Sequence, residues 1–467
     1  MSLETVTMTW NTLRDYFIQG DADSLEKMKG FMNVPLTIQA FKDVGPLDLT
    51  TATKDAAPAP APSTSTTSLP PPPSPSISSR RSKTSSNSRS SEALSKMKSE
   101  FLQNFSAFKG EPWKLPSGTN VDTRIGESVN DLVYESALHS FIIEDVADII
   151  ALFTSIEDQA ALRAVIEERS KEQLATLSPS EAAFLRLYDV SPGDTRGLLK
   201  SGWGNMGSAL SDLPDEGFRS LVHDCIAYIL RVYEMNDMSI PREESESWHM
   251  SKIWGFLNIF FDCDEKLKHE PAEVSCEASA RRKNRTRKLG AKAERGRKVD
   301  GLVFSSYTLL EICLVEAAKK DAGSTSTKAL TDTRKMAKAM KDMHDEIRMK
   351  SSRNIRSDLL TYGIRISGLS ITFYTLRQRE GRFYQLCNEG TVSFPAKWDS
   401  GGTTTKLILS VLEWLLAFRK DMSNMASNFP DWTCVPVGAK PSVVDHQAIT
   451  LTTPPGSPRL SPDTSSF

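Results

Sequence analysis

Apolar residues recur at helical spacing in two stretches of the middle of the chain. From Val129 to about Arg169 they are Leu132, Leu138, Phe141, Ile142, Val146, Ile149, Ile150 and Phe153, and Phe218 to Met235 repeats the pattern. Pro214 and Pro241 bracket the second stretch, where a residue without an N–H suits helix boundaries rather than interiors. Residues 125–240 are therefore expected to form a mainly α-helical domain. A weaker pattern (Trp10, Leu13, Phe17, then a break at Gly20-Asp21) predicts a small helical segment over 1–44.

From Glu246 the pattern changes. Trp248, Ile253, Phe256, Leu257, Phe260 and Phe261 predict a helix, and Val299–Phe304 and Leu309–Ala318 are strand-compatible runs on either side of Ser305-Ser306-Tyr307-Thr308, which predicts a β-hairpin. Thr331–Lys350 is an amphipathic helix with Met336, Met340, Met343 and Ile347 as its core stripe; Lys335, Lys338 and Lys341 are read as its solvated side or as contacts to a phosphate backbone. Tyr362, Ile364 and Ile366 alternate, then Leu369, Ile371 and Phe373 alternate in the opposite phase, so a bulge or kink is expected at Gly368. Arg382–Cys387 and Thr391–Phe394 read as strands around an Asn388-Glu389-Gly390 turn, and Leu407, Val411, Trp414, Leu415 and Phe418 predict a closing helix. The order describes an α/β carboxy-terminal domain over 243–422.

Composition marks what lies outside these domains. Residues 51–91 are rich in Pro, Ser and Thr, and 438–467 carry three Thr-Pro or Ser-Pro pairs; both have too little apolar area to offset chain entropy and are expected to be a disordered linker and tail. No apolar stretch reaches the roughly 18 residues of a membrane span. The start lacks the order of a signal peptide, and the six cysteines form no CxxC pair. An intracellular protein away from the membrane is expected, nuclear or cytoplasmic, with a further protein partner for the helical region. The net charge of -2 hides one strongly basic run, Arg281 to Lys298, with ten Lys or Arg against Glu294 alone. Arg281, Arg282, Lys283, Arg285, Arg287, Lys288, Arg297 and Lys298 in it are read as a phosphate-contacting loop, a nuclear import signal or a solvated arm.

The candidate chemistry lies in the hairpin. With a turn centred near Thr308, Asp300 and Glu316 are each eight residues from the centre and face one another across the ladder. Two carboxylates held opposite one another repel, and a divalent cation such as Mg²⁺ would compensate them; the alternative is that Asp300 ends a turn and Glu316 frays at a strand end, both solvated.

Lys298-Val299-Asp300-Gly301, Leu310 to Lys319, the Met-rich helix Lys335 to Met343 and Gly363 to Leu369 together resemble the PD-(D/E)XK nuclease-like superfamily, as a divergent fungal branch. The resemblance implies a restriction-endonuclease-like core, a mixed sheet flanked by helices. It implies Asp300 and Glu316 as Mg²⁺ ligands, a lysine assisting the attacking water, and Glu246 on the preceding helix as a further acid. The motif places its lysine where Ala318 stands, and Lys319 follows one residue later, able to take the role if the chain turns after Ala317. The function implied is metal-dependent phosphodiester hydrolysis of nucleic acid; with Ala318 in that position, the alternative is an inactive nuclease fold that binds nucleic acid or a protein partner.

Overall fold

A computed structural model describes residues 84–170, 175–189, 197, 214–285, 287–288, 290–318, 327–351, 359–399 and 402–433. The segment expected over 1–44, most of the 51–91 linker and the 438–467 tail lie outside the described residues. The linker ends earlier than composition suggests, because a helix, α1 (Thr84–Ala107), begins inside it. That helix buries Met97 and Phe101 completely, which the Ser-rich sequence before them obscures.

After α1 come α2 (Val121–Asp131), a 3-10 turn (Ala137–Ser140), a short strand β1 (Ile142–Ile143), α3 (Val146–Ile150), α4 (Ile156–Ser170), α5 (Pro179–Arg186) and α6 (Glu216–Met235). The helix expected from Glu246 is broken into α7 (Glu246–Trp248), a π-turn (His249–Ile253) and α8 (Phe256–Asp262). Then follow β2 (Leu267–Ser275), α9 (Glu277–Asn284), β3 (Lys298–Ser305), β4 (Glu311–Ala318), α10 (Thr327–Lys350), β5 (Leu360–Ser367), β6 (Ser370–Gln378), β7 (Tyr384–Ser393) and α11 (Thr403–Thr433).

Among the described residues seven strands make one mixed sheet in the order β1-β7-β6-β5-β4-β3-β2. β2, β3 and β4 form an antiparallel meander, α10 crosses over, and β5 returns parallel to β4. Period-two burial puts Cys313 and Val315 against one helical layer and Leu302 and Leu314 against the other. The first layer is α6, α8 and α11, with Phe373 stacked on Trp414 at 5.7 Å. The second is α10, whose Met336, Met340 and Met343 are fully buried. Gly363 on β5 permits this close approach, since a Cβ there would stand 2.8 Å from the Met340 sulfur and 2.9 Å from that of Met336.

The helical stretch expected as a domain of its own shares this core. All described residues fall in one compact unit, Arg80–Phe467; Ile142 of β1 pairs in parallel with Tyr384 of β7, and the apolar face of α6 joins the sheet and α11. Helical periodicity reports that a face is buried but not against what.

Other local expectations change for identifiable reasons. The phase slip at Gly368 is a hairpin turn: Ser367 pairs with Ser370, and Gly368 has φ 59, the left-handed conformation a type II′ turn requires at that position. The two strands expected around Asn388-Glu389-Gly390 are one strand, β7, with Glu389 as an unpaired bulge residue between the pairs Tyr374↔Asn388 and Phe373↔Gly390. Lys338 and Lys341 are not on a solvated side. Lys338 is 1% exposed and pairs with Glu135 at 2.7 Å, while Lys341 is fully buried and pairs with Asp345 at 2.8 Å, because α10 is covered on its outer side as well.

Candidate functional site

The β3–β4 ladder pairs Gly301 with Val315 and Leu302 with Leu314, a register that sets Asp300 opposite Glu316 one step further on. Nearer the turn the register shifts between Val303 and Phe304, with Ile312 as the extra residue on β4, and this irregularity leaves the Asp300 end untouched. Both carboxylates lie on the α10 side of the sheet, partly buried. Oδ2 of Asp300 accepts the Ala317 N–H at 2.7 Å. Burial raises the Asp300 carboxyl, against the lowering effect of the Ala317 N–H. Glu316 is pushed up to about 8, first by burial and then by the charges of Asp300 and Asp332, with Arg297 and Lys335 working in the opposite direction.

The first turns of α10 and the residues before β3 complete the surroundings. Lys335 lies 3.2 Å from Asp332, and the Arg297 guanidinium donates to the Lys335 carbonyl, so helix and strand are tied together beside Glu316. On the other flank Arg365 of β5 is the parallel-ladder partner of Glu316, and its Nη1 donates to Thr333 Oγ1 at 2.9 Å. The pair of acids is thus bordered by Arg297, Lys335 and Arg365.

Lys319 lies outside the described residues. Ala318, in register with Ser367, is two positions past Glu316 and on the same face, with no amine to offer. Lys335 occupies the neighbourhood in which the motif lysine was expected. Its place on an amphipathic helix was legible, but nothing in the sequence put that turn of helix over Glu316. Glu246 is not brought to the acid pair. It starts α7, capped by Ser245, in the segment whose Trp248 and Ile253 pack with the opposite helical layer, whereas Glu316 faces α10.

The basic run divides. Its beginning is helix rather than loop, since α9 extends to Asn284. Arg281 pairs with Glu277 and Glu346, both at 2.5 Å, Arg282 pairs with Asp342 at 2.8 Å, and Lys283 Nζ donates to the Arg295 carbonyl at 2.9 Å. These three tie α9 to α10 and to the chain entering β3. Arg285, Arg287 and Lys288 are exposed, as are Lys292 and Arg295, and Lys298 pairs with Glu273 at the surface.

A cavity of about 340 Å³ sits at the other end of β3 and β4, lined by Phe304, Thr308, Leu310, Glu311, Met343 and Lys350 among others. Its buried carboxylate, Glu311, is already committed, accepting the N–H groups of Glu277 at 2.6 Å and Ala278 at 2.9 Å and so capping α9. The cavity thus holds its buried carboxylate in a structural role, at the opposite end of the two strands from Asp300 and Glu316.

Among the described residues no group of three or more His, Cys, Asp and Glu converges as a metal cage. Asp300 and Glu316 nevertheless suit one kind of ion. They are hard oxygen donors on adjacent strands, and Mg²⁺ binds through one or two carboxylates, keeping its other positions for water and phosphate oxygens. Burial and the charge of Asp300 raise the Glu316 carboxyl, and a cation between the two acids would favour the ionised form of both. No helix of the described residues is long and apolar enough to cross a membrane, and Cys225, Cys263, Cys276, Cys313 and Cys387 are free thiols.

Compared with protein-family models, with curated proteins and with solved structures, the chain matches none of them.

Proposed function

We propose that the chain is a PD-(D/E)XK-like protein that hydrolyses phosphodiester bonds of nucleic acid in a metal-dependent manner, with Asp300 and Glu316 as the acids of its site. One observation carries the reading: two carboxylates in register on adjacent strands, partly buried and bordered by cations. The element order supports it, with a helix, an antiparallel meander, a crossover helix and a strand parallel to the last of the meander. Asp300 and Glu316 would hold Mg²⁺, which supplies charge neutralisation at the phosphate and a more acidic bound water. Asp300 is oriented by the Ala317 N–H. Lys335 offers an ammonium on the α10 side, where it stabilises negative charge developing on the phosphoryl oxygens. The exposed Arg285, Arg287 and Lys288 give a polyanion a charged approach along the chain that enters β3.

The test is calorimetric titration of Mn²⁺ into the full-length chain, the parent beside Asp300→Ala and Glu316→Ala, followed by an endonuclease assay on mixed single- and double-stranded DNA and RNA. Mn²⁺ binding and cleavage that both substitutions abolish support the reading; cleavage that survives both sinks it.

A second reading is favoured by Ala318, which leaves the motif position without a lysine. In it the fold binds nucleic acid or a protein partner without cutting, and the basic arm serves as a contact or an import signal. Salt-sensitive nucleic-acid binding with no turnover in Mg²⁺ or Mn²⁺ would select it.

A further inference from the structure

Buried and half-buried cations of this protein are commonly ion-paired. Arg282 has Asp342 at 2.8 Å, Arg334 has Glu144 at 3.2 Å, Lys338 has Glu135 at 2.7 Å, Lys341 has Asp345 at 2.8 Å and Arg382 has Asp122 at 3.2 Å. Arg365 departs from this. Among the described residues its guanidinium makes one hydrogen bond, to Thr333, and it lies over the Tyr374 ring, 5.8 Å from its centre. Its Nε is buried without an acceptor among the described residues. A guanidinium presents five N–H donors, and a buried donor left without an acceptor is costly. A tie between β5 and the start of α10 needs only one of those donors.

Its location suggests what the others are for. Arg365 is the ladder neighbour of Glu316 and shares the α10 side of the sheet with Asp300 and Glu316. From the β3 side comes Arg297, half-buried, bonded to the Lys335 carbonyl and, among the described residues, without a carboxylate in ion-pair contact. Two guanidinium forks therefore flank the acid pair, where a repeating anion guided by the exposed basic residues would arrive. Arginine forks match phosphate oxygens in pairs, and a singly charged diester meets less repulsion from the acids than a dianion does.

We infer that Arg365 and Arg297 form an anion seat that holds the phosphodiester group of a nucleic-acid strand against the Asp300–Glu316 pair. This rests on the phosphodiester reading of the site and adds the groups that bind the substrate's charge. Arg365 acts there as a binding residue, and Thr333 as the residue that positions it.

The probe is thymidylyl-thymidine, which carries one phosphodiester and so gives the distant basic arm little to hold. Its ³¹P line broadening is followed on titration with the full-length chain in EDTA, with inorganic phosphate as a parallel probe. Arg365→Ala is expected to weaken dinucleotide binding about tenfold or more, the scale of losing a charge-assisted hydrogen bond. Arg365→Lys should recover only part, since a point charge replaces the fork, and Asp300→Ala should bind at least as tightly as the parent. A parent that does not broaden the signal, or a folded Arg365→Ala that binds like the parent, overturns the inference. If Arg365→Ala does not fold, Arg365→Lys decides, and parent-like affinity in it overturns the inference equally. Preference for inorganic phosphate over the dinucleotide would also overturn it, since the seat would then serve free phosphate. The Mn²⁺ titration separates this from the nuclease reading: an Arg365-dependent seat without metal binding leaves the inference and removes the hydrolase, and metal binding with Arg365-independent dinucleotide affinity does the reverse.

Discussion

Asp300 accepts the N–H of Ala317, so the same carboxylate that faces Glu316 also closes the end of the β3–β4 ladder. Charge and hydrogen bond are separable at this residue. Asp300→Asn keeps an acceptor oxygen and should unfold in urea within about 0.5 kcal/mol of the parent, whereas Asp300→Ala leaves the N–H unmet and should cost about 1 kcal/mol. Both should abolish Mn²⁺ binding in calorimetry. A variant pair equal in stability would mean that the hydrogen bond contributes nothing to the fold.

Glu316 gives the protein a pH dependence of defined sign. Its carboxyl is pushed up to about 8 in the folded chain from an ordinary value of 4.5, so between those values the folded state binds more protons than the unfolded one. Stability therefore falls as pH rises from about 4.5 through about 8. Glu316→Gln, which mimics the protonated acid, should match the parent at pH 4 and exceed it at pH 9, by on the order of a few kcal/mol. Parallel pH profiles of urea midpoints for parent and variant would contradict this.

The two candidate positions for the assisting amine can be exchanged. Lys335→Ala should lower single-turnover cleavage by about a hundredfold, the typical effect of losing one positioned charge donor. Ala318→Lys places an amine on the face of Glu316 and should restore part of that loss when combined with Lys335→Ala. Full activity in Lys335→Ala alone would remove Lys335 from the chemistry.

Arg382 joins the layer of α1 and α2 to the sheet. It pairs with Asp122 at 3.2 Å and stacks on Phe105 and Phe108 at 3.9 and 4.7 Å, and Asp122 is already raised to about 6 by burial despite that pairing. Arg382→Ala strands a buried carboxylate and should destabilise the chain by about 3 kcal/mol, with Arg382→Lys less harmful. Chemical denaturation at pH 7 reads the difference, and a loss near zero would show that the Asp122 carboxyl takes up a proton at little cost.

The basic run should separate into two behaviours. Arg282→Ala removes a buried partner of Asp342 and should lower stability by about 2 kcal/mol or more. Arg287→Ala with Lys288→Ala should leave stability unchanged and reduce the salt dependence of oligonucleotide binding, by roughly one phosphate contact per removed charge. An identical salt slope in that double variant would leave the arm without a nucleic-acid role.

Much of the fold is legible in the chain, because alternation and helical spacing report which side of an element is buried. The hairpin centred near Thr308 predicts the opposition of Asp300 and Glu316, and the observed register agrees with it through Gly301↔Val315. β2 escapes notice because it is an edge strand, mostly exposed, interrupted by Pro271 and an irregularity before Val274, and so has no apolar alternation to read. Lys338 and Lys341 mislead for the opposite reason: a charged residue looks solvated until a partner such as Glu135, 203 positions away, is brought to it.

What the sequence by itself determined is local: the apolar face of the strongly patterned elements, the hairpin and the two acids it opposes. Only the tertiary structure decided what surrounds those acids. Lys335, Arg297 and Arg365 meet there because α10 crosses over the sheet and β5 returns beside β4, contacts between residues far apart in the chain that no short-range periodicity encodes. The same long-range packing ties Arg281 and Arg282 of the basic run to α10 by ion pairs and leaves Arg285, Arg287 and Lys288 exposed, since a cation's role is fixed by the carboxylate that reaches it and not by its neighbours in sequence.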